Sequence, residues 1–246
     1  GFAPHPYLSS ARPSPARGLS TRAPTRRSTS MAQIFHPSFN TLSKVTIFGA
    51  VFFLGASLWA WDTMLRSSYN TQVNVARQQP VPFSHKHHVQ GLGLDCRFCH
   101  GSVEESSFAG IPPSKTCMGC HSLVWKDAAM LEPVRASYRD DTPIEWIRVH
   151  DLPDFAYFDH SIHVAKGIGC TTCHGQVDEM PLMWRTQTLN MDWCLACHRD
   201  PARNVREPAD VFSVDWRPGE LSDARRAELA EELHLKSMTD CSVCHR

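Results

Sequence analysis

No cysteine in this 246-residue chain stands outside a C-x-x-C-H motif: all 10 fall into five copies, opening at Cys96, Cys117, Cys170, Cys194 and Cys241. That leaves little room for a disulfide framework or a zinc knuckle. Zinc needs four ligands and gives no reason for a histidine directly after every second cysteine. Acidic residues are missing from the first 61 positions, which carry six Lys or Arg, so the rest holds 19 basic and 25 acidic residues, a balance of −6. Residues 1–30 lack any apolar period and are rich in Pro, Ser, Thr, Ala and Arg. A segment with so little to bury does not offset its ordering entropy, and a disordered basic segment is expected over 1–41. The chain does not open on Met, and translation is expected to begin at Met31, with a transit peptide as the rival reading of 1–30.

Long apolar runs are equally scarce. The one present is the stretch of 17 uncharged residues from Val45 to Trp61, extended by Leu42, Ser43, Met64 and Leu65. It reaches the lower end of the length that spans a bilayer, so a transmembrane anchor is expected over 42–65. Trp59 and Trp61 would anchor its outer end, and the basic residues before it put the N-terminus in the cytoplasm. A cleaved signal peptide is the competing reading, but Leu58 and Trp59 crowd the approach to Ala60 as a cleavage site. Residues 66–82 are polar and read as a linker, and 83–246 as a domain on the far side of the membrane.

What the chain does have is the equipment for covalent haem. The two thiols of C-x-x-C add to the two vinyl groups of one porphyrin, and the adjoining histidine reaches its iron. Five haem c groups are therefore expected, on Cys96 and Cys99, Cys117 and Cys120, Cys170 and Cys173, Cys194 and Cys197, and Cys241 and Cys244. Their proximal ligands would be His100, His121, His174, His198 and His245. From about Gln72 onward, 175 residues serve five haems, or 35 apiece. So little polypeptide cannot wrap each macrocycle in a separate core. The expected fold is mainly α with little regular secondary structure, the porphyrins themselves forming the interior.

An internal repeat places further ligands. Phe83-Ser84-His85-Lys86-His87-His88-Val89 and Phe158-Asp159-His160-Ser161-Ile162-His163-Val164 both read F-x-H-x-x-H-V and both precede a glycine-bracketed turn and C-x-x-C-H. Histidines three apart leave one face of a helical turn. His85, His88, His160 and His163 are expected to ligate iron from the distal side, so the modules are 83–123 and 155–199, with the last haem at 241–245. Five bis-histidine irons need ten histidines and the chain has 14. His150 is the candidate for the tenth, with His87, His234, Met180, Met183 and Met191 as rivals; His5 and His36 precede the anchor. Met118 is expected to pack on its own haem. A short helix opening at Thr142-Pro143-Ile144-Glu145, with Thr142 as cap, is expected to present His150. A second, amphipathic helix is expected after Ser222.

The F-x-H-x-x-H and C-x-x-C-H combination resembles the class III, cytochrome c3 and c7, haem-binding pattern. The wider arrangement, with Arg148-Val149-His150-Asp151-Leu152-Pro153-Asp154-Phe155 leading into the second module and Met191-Asp192-Trp193-Cys194-Leu195-Ala196-Cys197-His198-Arg199, resembles the pentahaem subunit of bacterial alternative complex III. That resemblance implies a periplasmic electron relay, anchored in the inner membrane, within a quinol-oxidising complex. Electrons would arrive through an iron–sulfur partner subunit and leave to a monohaem cytochrome or a terminal oxidase. It further implies that His85 serves the haem of Cys96 and Cys99, that His160 serves that of Cys170 and Cys173, and that the second histidine of each pair serves a neighbouring haem.

Five oxidised haems would bring the domain to a charge of about −11, since two propionates outweigh one net charge on ferric porphyrin. A basic soluble partner suits that charge, as does plain solubility. No nucleic acid is expected as a partner. Two other functions compete. A self-contained quinol dehydrogenase would place its first haem beside the membrane, whereas Cys96 lies 34 positions beyond Asp62. A multihaem reductase of nitrite or a similar small molecule would need an iron with an open position, and this chain has histidines enough to fill every one. No catalytic residue is expected.

Overall fold

The computed structural model describes residues 34–217 and 219–245. Residues 1–30, Met31 and His5, with the expectations placed on them, lie outside the described residues. The chain divides into two compact units, Gly1–Gly55 and Ala56–Arg246, and the division falls inside one helix, Ser38–Arg66.

That helix starts four residues before the expected anchor. At 29 residues it is about 43 Å long, more than the roughly 30 Å of a bilayer's hydrocarbon. None of its residues is buried, and Phe48, Phe52, Phe53, Leu58 and Trp59 are all well exposed. A helix that is apolar all round and covered by nothing is no surface helix of a water-soluble domain. It is the one helix among the described residues long and apolar enough to cross a membrane. Three of its hydroxyls are turned inward: Ser43 donates to Phe39 O at 2.7 Å, Thr46 to Leu42 O at 3.0 Å and Thr63 to Trp59 O at 2.8 Å. Bonded to the preceding turn, these three donors are satisfied within the helix.

The second unit is built of short helices and irregular chain. Its helices include Cys96–Cys99, Ser114–His121, Glu132–Asp140, His160–Ala165, Cys170–His174, Met191–Arg199, Asp223–Glu232 and Cys241–Cys244. Among the described residues there is no strand, only isolated bridges of Val73 with Arg185 and of Ile168 with Val205. The apolar interior is thin. Nine hydrophobic residues are buried, far too few to offset the ordering of so long a chain on their own. One small cluster joins Val81, Leu131 and Val134, with Met118, Ile144 and Trp146 packed on it.

The helix expected to open at Thr142 does not form. The chain is helical earlier, over Glu132–Asp140, with Pro133 in its first turn, where its missing N–H costs nothing. Asp141 ends that helix in the left-handed region at φ 52°. Both backbone groups of Thr142 are then committed to Ser137: its N–H donates to Ser137 O at 3.2 Å and its carbonyl accepts from Ser137 Oγ at 2.5 Å. Thr142 therefore closes one helix instead of capping another. The chain beyond runs irregularly, Ile144 and Trp146 both reaching the small cluster. The Gln79 side chain brackets Ile147, donating to its carbonyl at 2.9 Å and accepting from its N–H at 3.0 Å. The helix after Ser222 does form, Asp223–Glu232, with the Ser222 side chain accepting from Arg225 N–H and Leu229 facing inward at 1% exposure.

Candidate haem sites

Each C-x-x-C lies on a helical turn, which sets its two thiols on one face. Asp95 caps the first such turn through Arg97 N–H, and the fourth pair sits inside Met191–Arg199. All ten thiols are free and partly or well exposed. Among the described residues no three His, Cys, Asp or Glu side chains converge as a bare-metal site; two thiols on one turn with a histidine directly after them suit a group that brings four equatorial ligands of its own.

The histidines are prepared for such a group. Carbonyl oxygens only accept, so an imidazole Nδ1 bonded to one carries the proton and leaves the Nε2 lone pair for a metal. This holds for His100 on Gly110 O at 2.6 Å, His121 on Val124 O at 3.0 Å, His198 on Met238 O at 3.0 Å and His245 on Phe155 O at 2.9 Å. It holds also for His88 on Ser84 O at 2.9 Å, His160 on Ser107 O at 2.8 Å and His163 on Asp159 O at 2.6 Å. The other three are deeply placed. Burial, then His150 and His160, presses His174 down to about 3, and burial first of all brings His85 and His150 to about 4. All three are thereby neutral, and His85 Nδ1 and His150 Nε2 are buried without a hydrogen-bond partner.

Three histidine pairs stand at the separation one iron requires. A metal–imidazole bond of about 2 Å on either side, with half a ring at each end, gives centroids roughly 6–7 Å apart. His88 and His121 are at 6.2 Å, His163 and His198 at 6.1 Å, and His160 and His174 at 6.3 Å. His85 lies within electrostatic reach of His100. His150 comes to rest against His174, with ring centroids 4.3 Å apart, while His245 has Phe155 as its ring neighbour at 5.8 Å. Of the rivals, His87 stacks with Trp125 at 6.0 Å, Met191 is 65% exposed and Met180 is buried at 1%. His234 follows the helix Asp223–Glu232 in the left-handed region at φ 51°, and Met118 packs on the Val81 cluster.

The two modules are copies down to their aromatic contacts. Phe83 stacks on His88 at 4.4 Å and meets His85 edge-on at 4.9 Å; Phe158 stacks on His163 at 4.4 Å and meets His160 edge-on at 4.8 Å. One phenyl ring thus orients two imidazoles, a role not drawn from the sequence although the phenylalanine is part of the repeat. Asp159 caps His160–Ala165 through the N–H groups of Ser161 and Ile162; Ser84 does part of this work in the first module, its Oγ accepting from His87 N–H at 3.2 Å.

The motifs form a single file. Cys99 feels Cys117, and the neighbouring thiols of Cys96 and Cys170 act on each other, which holds Cys96 down to about 7 and pushes Cys170 up. Cys173, pushed up to about 12 by burial first, feels Cys197 and Cys194, and Cys194 feels Cys244. Backbone contacts agree: Ser161 N–H reaches Ser106 O at 3.2 Å, Tyr157 N–H reaches Cys244 O at 2.8 Å and Met238 N–H reaches His198 O at 3.2 Å. Counting motifs along the chain, these thiols link the second motif to the first, the first to the third, the third to the fourth and the fourth to the fifth.

Arg206, which sequence reasoning passed over, is 0% exposed and lies under the third motif. Its guanidinium donates to Thr171 Oγ1 at 2.5 Å and Thr172 Oγ1 at 3.1 Å.

Short helices that each present two thiols and a histidine, with further histidines paired across them, define a c-type cytochrome of the multihaem class. Residues 162–246 match the cytochrome c3 family. Over 206 residues, 80% of this chain and 87% of the other, the sequence is 30% identical to the multihaem cytochrome c subunit of menaquinone reductase from Nitratidesulfovibrio vulgaris Hildenborough. The chain belongs to that family of multihaem cytochrome c subunits, and its cofactor is covalently bound haem c.

Proposed function

We propose that this chain is a membrane-anchored pentahaem relay in a quinone-linked respiratory or photosynthetic complex of the alternative complex III kind. The observation that carries the reading is the unbroken file of motifs, each within reach of the next. Each haem, when bound, supplies one ferric/ferrous couple. The chain's own residues do the rest. The five cysteine pairs would hold the groups in register, and His100, His121, His174, His198 and His245 would supply one nitrogen to each iron. His85, His88, His160 and His163 supply four more, with Nδ1 protons parked on backbone carbonyls in three of those four. His150 supplies the tenth. The H-x-x-H pairs tie the first motif to the second and the third to the fourth, two of the four links in the file. No residue here is proposed to transform a substrate.

In this reading the helix Ser38–Arg66 crosses the bacterial inner membrane and the haem domain lies in the periplasm. Other membrane and periplasmic subunits supply the quinol site, and a monohaem cytochrome or terminal oxidase takes the electrons. The name of the Nitratidesulfovibrio relative favours a second reading, with electrons flowing towards menaquinone. Purification from mild-detergent membranes tests both. Co-purifying iron–sulfur and polytopic subunits with quinol:cytochrome c activity are expected, whereas quinone reduction by a reduced cytochrome selects the second reading. A lone cytochrome that oxidises quinol by itself contradicts both.

A further inference from the structure

Arg206 is the most deeply buried charge among the described residues, and it lacks what buried charges have. Its side chain makes no ion pair: Asp210 and Glu220 act on it only through space. Nη1 donates to the carbonyls of Asp210 at 3.4 Å and Ser213 at 3.2 Å, and Nη2 to the hydroxyls of Thr171 and Thr172. Its plane covers the Trp216 ring at 4.1 Å, and Nε has no partner. Isolating a guanidinium from water without a carboxylate is costly, and the fold accepts further constraint to do it. A Cβ on Gly169 would stand 2.1 Å from Arg206 Cζ, so only glycine leaves room before the motif. The backbone is pinned as well, Arg206 N–H donating to Gly167 O at 2.9 Å, beside the Ile168–Val205 bridge.

The two threonines it grips are the two residues between Cys170 and Cys173. We propose that Arg206 is a fixed cation, paired to no protein carboxylate, that raises the reduction potential of the haem attached at Cys170 and Cys173. Reduction adds one negative charge to a haem. A positive charge nearby in a medium of low dielectric stabilises that state far more than a hydrated surface charge does. Since guanidinium does not deprotonate in proteins, the effect persists at every working pH. The third motif is the middle one of the file, so the raised potential draws an electron to the centre of the relay from either end. Arg206 is in this sense a positioning residue for charge, and the inference rests on the pentahaem reading above.

The test is a spectroelectrochemical titration of the full-length, haem-loaded protein in detergent, for the parent and for Arg206→Gln, Arg206→Lys and Arg203→Gln. Haem is counted on the same samples, so that a parent with fewer than five haems marks a failure of the pentahaem reading, and unshifted couples in a fully loaded protein mark a failure of this one. In Arg206→Gln one couple is expected to lose about tenfold in its reduction equilibrium, a fall of about 59 mV for a one-electron step. Arg206→Lys keeps the charge and is expected to shift by less than threefold, and Arg203→Gln, which removes an exposed charge, is expected to shift nothing. The tenfold loss should vanish when Cys170 and Cys173 are both replaced by alanine. Unchanged couples in a fully loaded Arg206→Gln protein overturn the proposal, as does a tenfold loss that survives removal of the third motif. Should Arg206→Gln fail to mature, Arg206→Lys decides: parental potentials support the charge, and a tenfold loss there assigns the effect to the guanidinium's hydrogen bonds and overturns it.

Discussion

At the scale of single residues the imidazoles divide by how their protons are held. Seven of the ten candidate ligands hand Nδ1–H to a backbone carbonyl, and the other three are held neutral chiefly by burial. His150 is the one whose service matters most to the count. Replacing His150 with alanine is expected to turn one low-spin haem high-spin in the resting EPR spectrum and to leave the others unchanged. An unaltered low-spin count would remove His150 from the ligand set and bring His87, His234 and the methionines back as candidates. The cysteine motifs and the H-x-x-H pairs were legible in the sequence because their chemistry is local, needing only one helical turn. The carbonyl of Gly110 that receives His100, or that of Met238 that receives His198, has no side-chain signature. Arg206 was illegible for the same reason: its burial depends on Gly169, Thr171 and Trp216 coming together in space.

At the scale of elements, short helices are held at their ends and need those holds. The helix Asp223–Glu232 has its cap in Ser222 and a single deeply buried contact in Leu229. Ser222→Ala is expected to cost about 1 kcal/mol of local stability, seen as roughly fivefold faster amide exchange within that helix. Unchanged exchange would mean that the Arg225 pairing with Glu207 at 2.6 Å holds the element without the cap. This helix was readable because serine, an acidic first turn and an amphipathic stripe all agreed. The one placed at Thr142 failed because Thr142-Pro143-Ile144-Glu145 carries every mark of a helix start, yet Asp141 reverses the chain just before it and Ser137 takes both Thr142 backbone groups. Local signals lost to a preceding helix whose own mark, Pro133 in its first turn, was overlooked.

At the scale of the whole molecule, a unit with nine buried hydrophobic residues among those described and five cysteine–histidine motifs is a multihaem cytochrome with little apolar interior of its own. The single file gives this a kinetic consequence. Removing the third motif by Cys170→Ala with Cys173→Ala is expected to split the remaining haems into two sets, the second with the first and the fourth with the fifth. Stopped-flow reduction should then show two phases where the parent shows fast equilibration; one shared phase would contradict the order. The file was hidden in the sequence, since the first and second motifs trade places in space through contacts such as Cys96 with Cys170. Beneath all of this lies the claim that every cysteine pair carries a haem, and pyridine haemochrome analysis combined with the intact mass of the purified chain tests it most directly. The account predicts five covalently attached haems per polypeptide with a c-type spectrum; four or fewer, or haem that extracts into acid acetone, would contradict it.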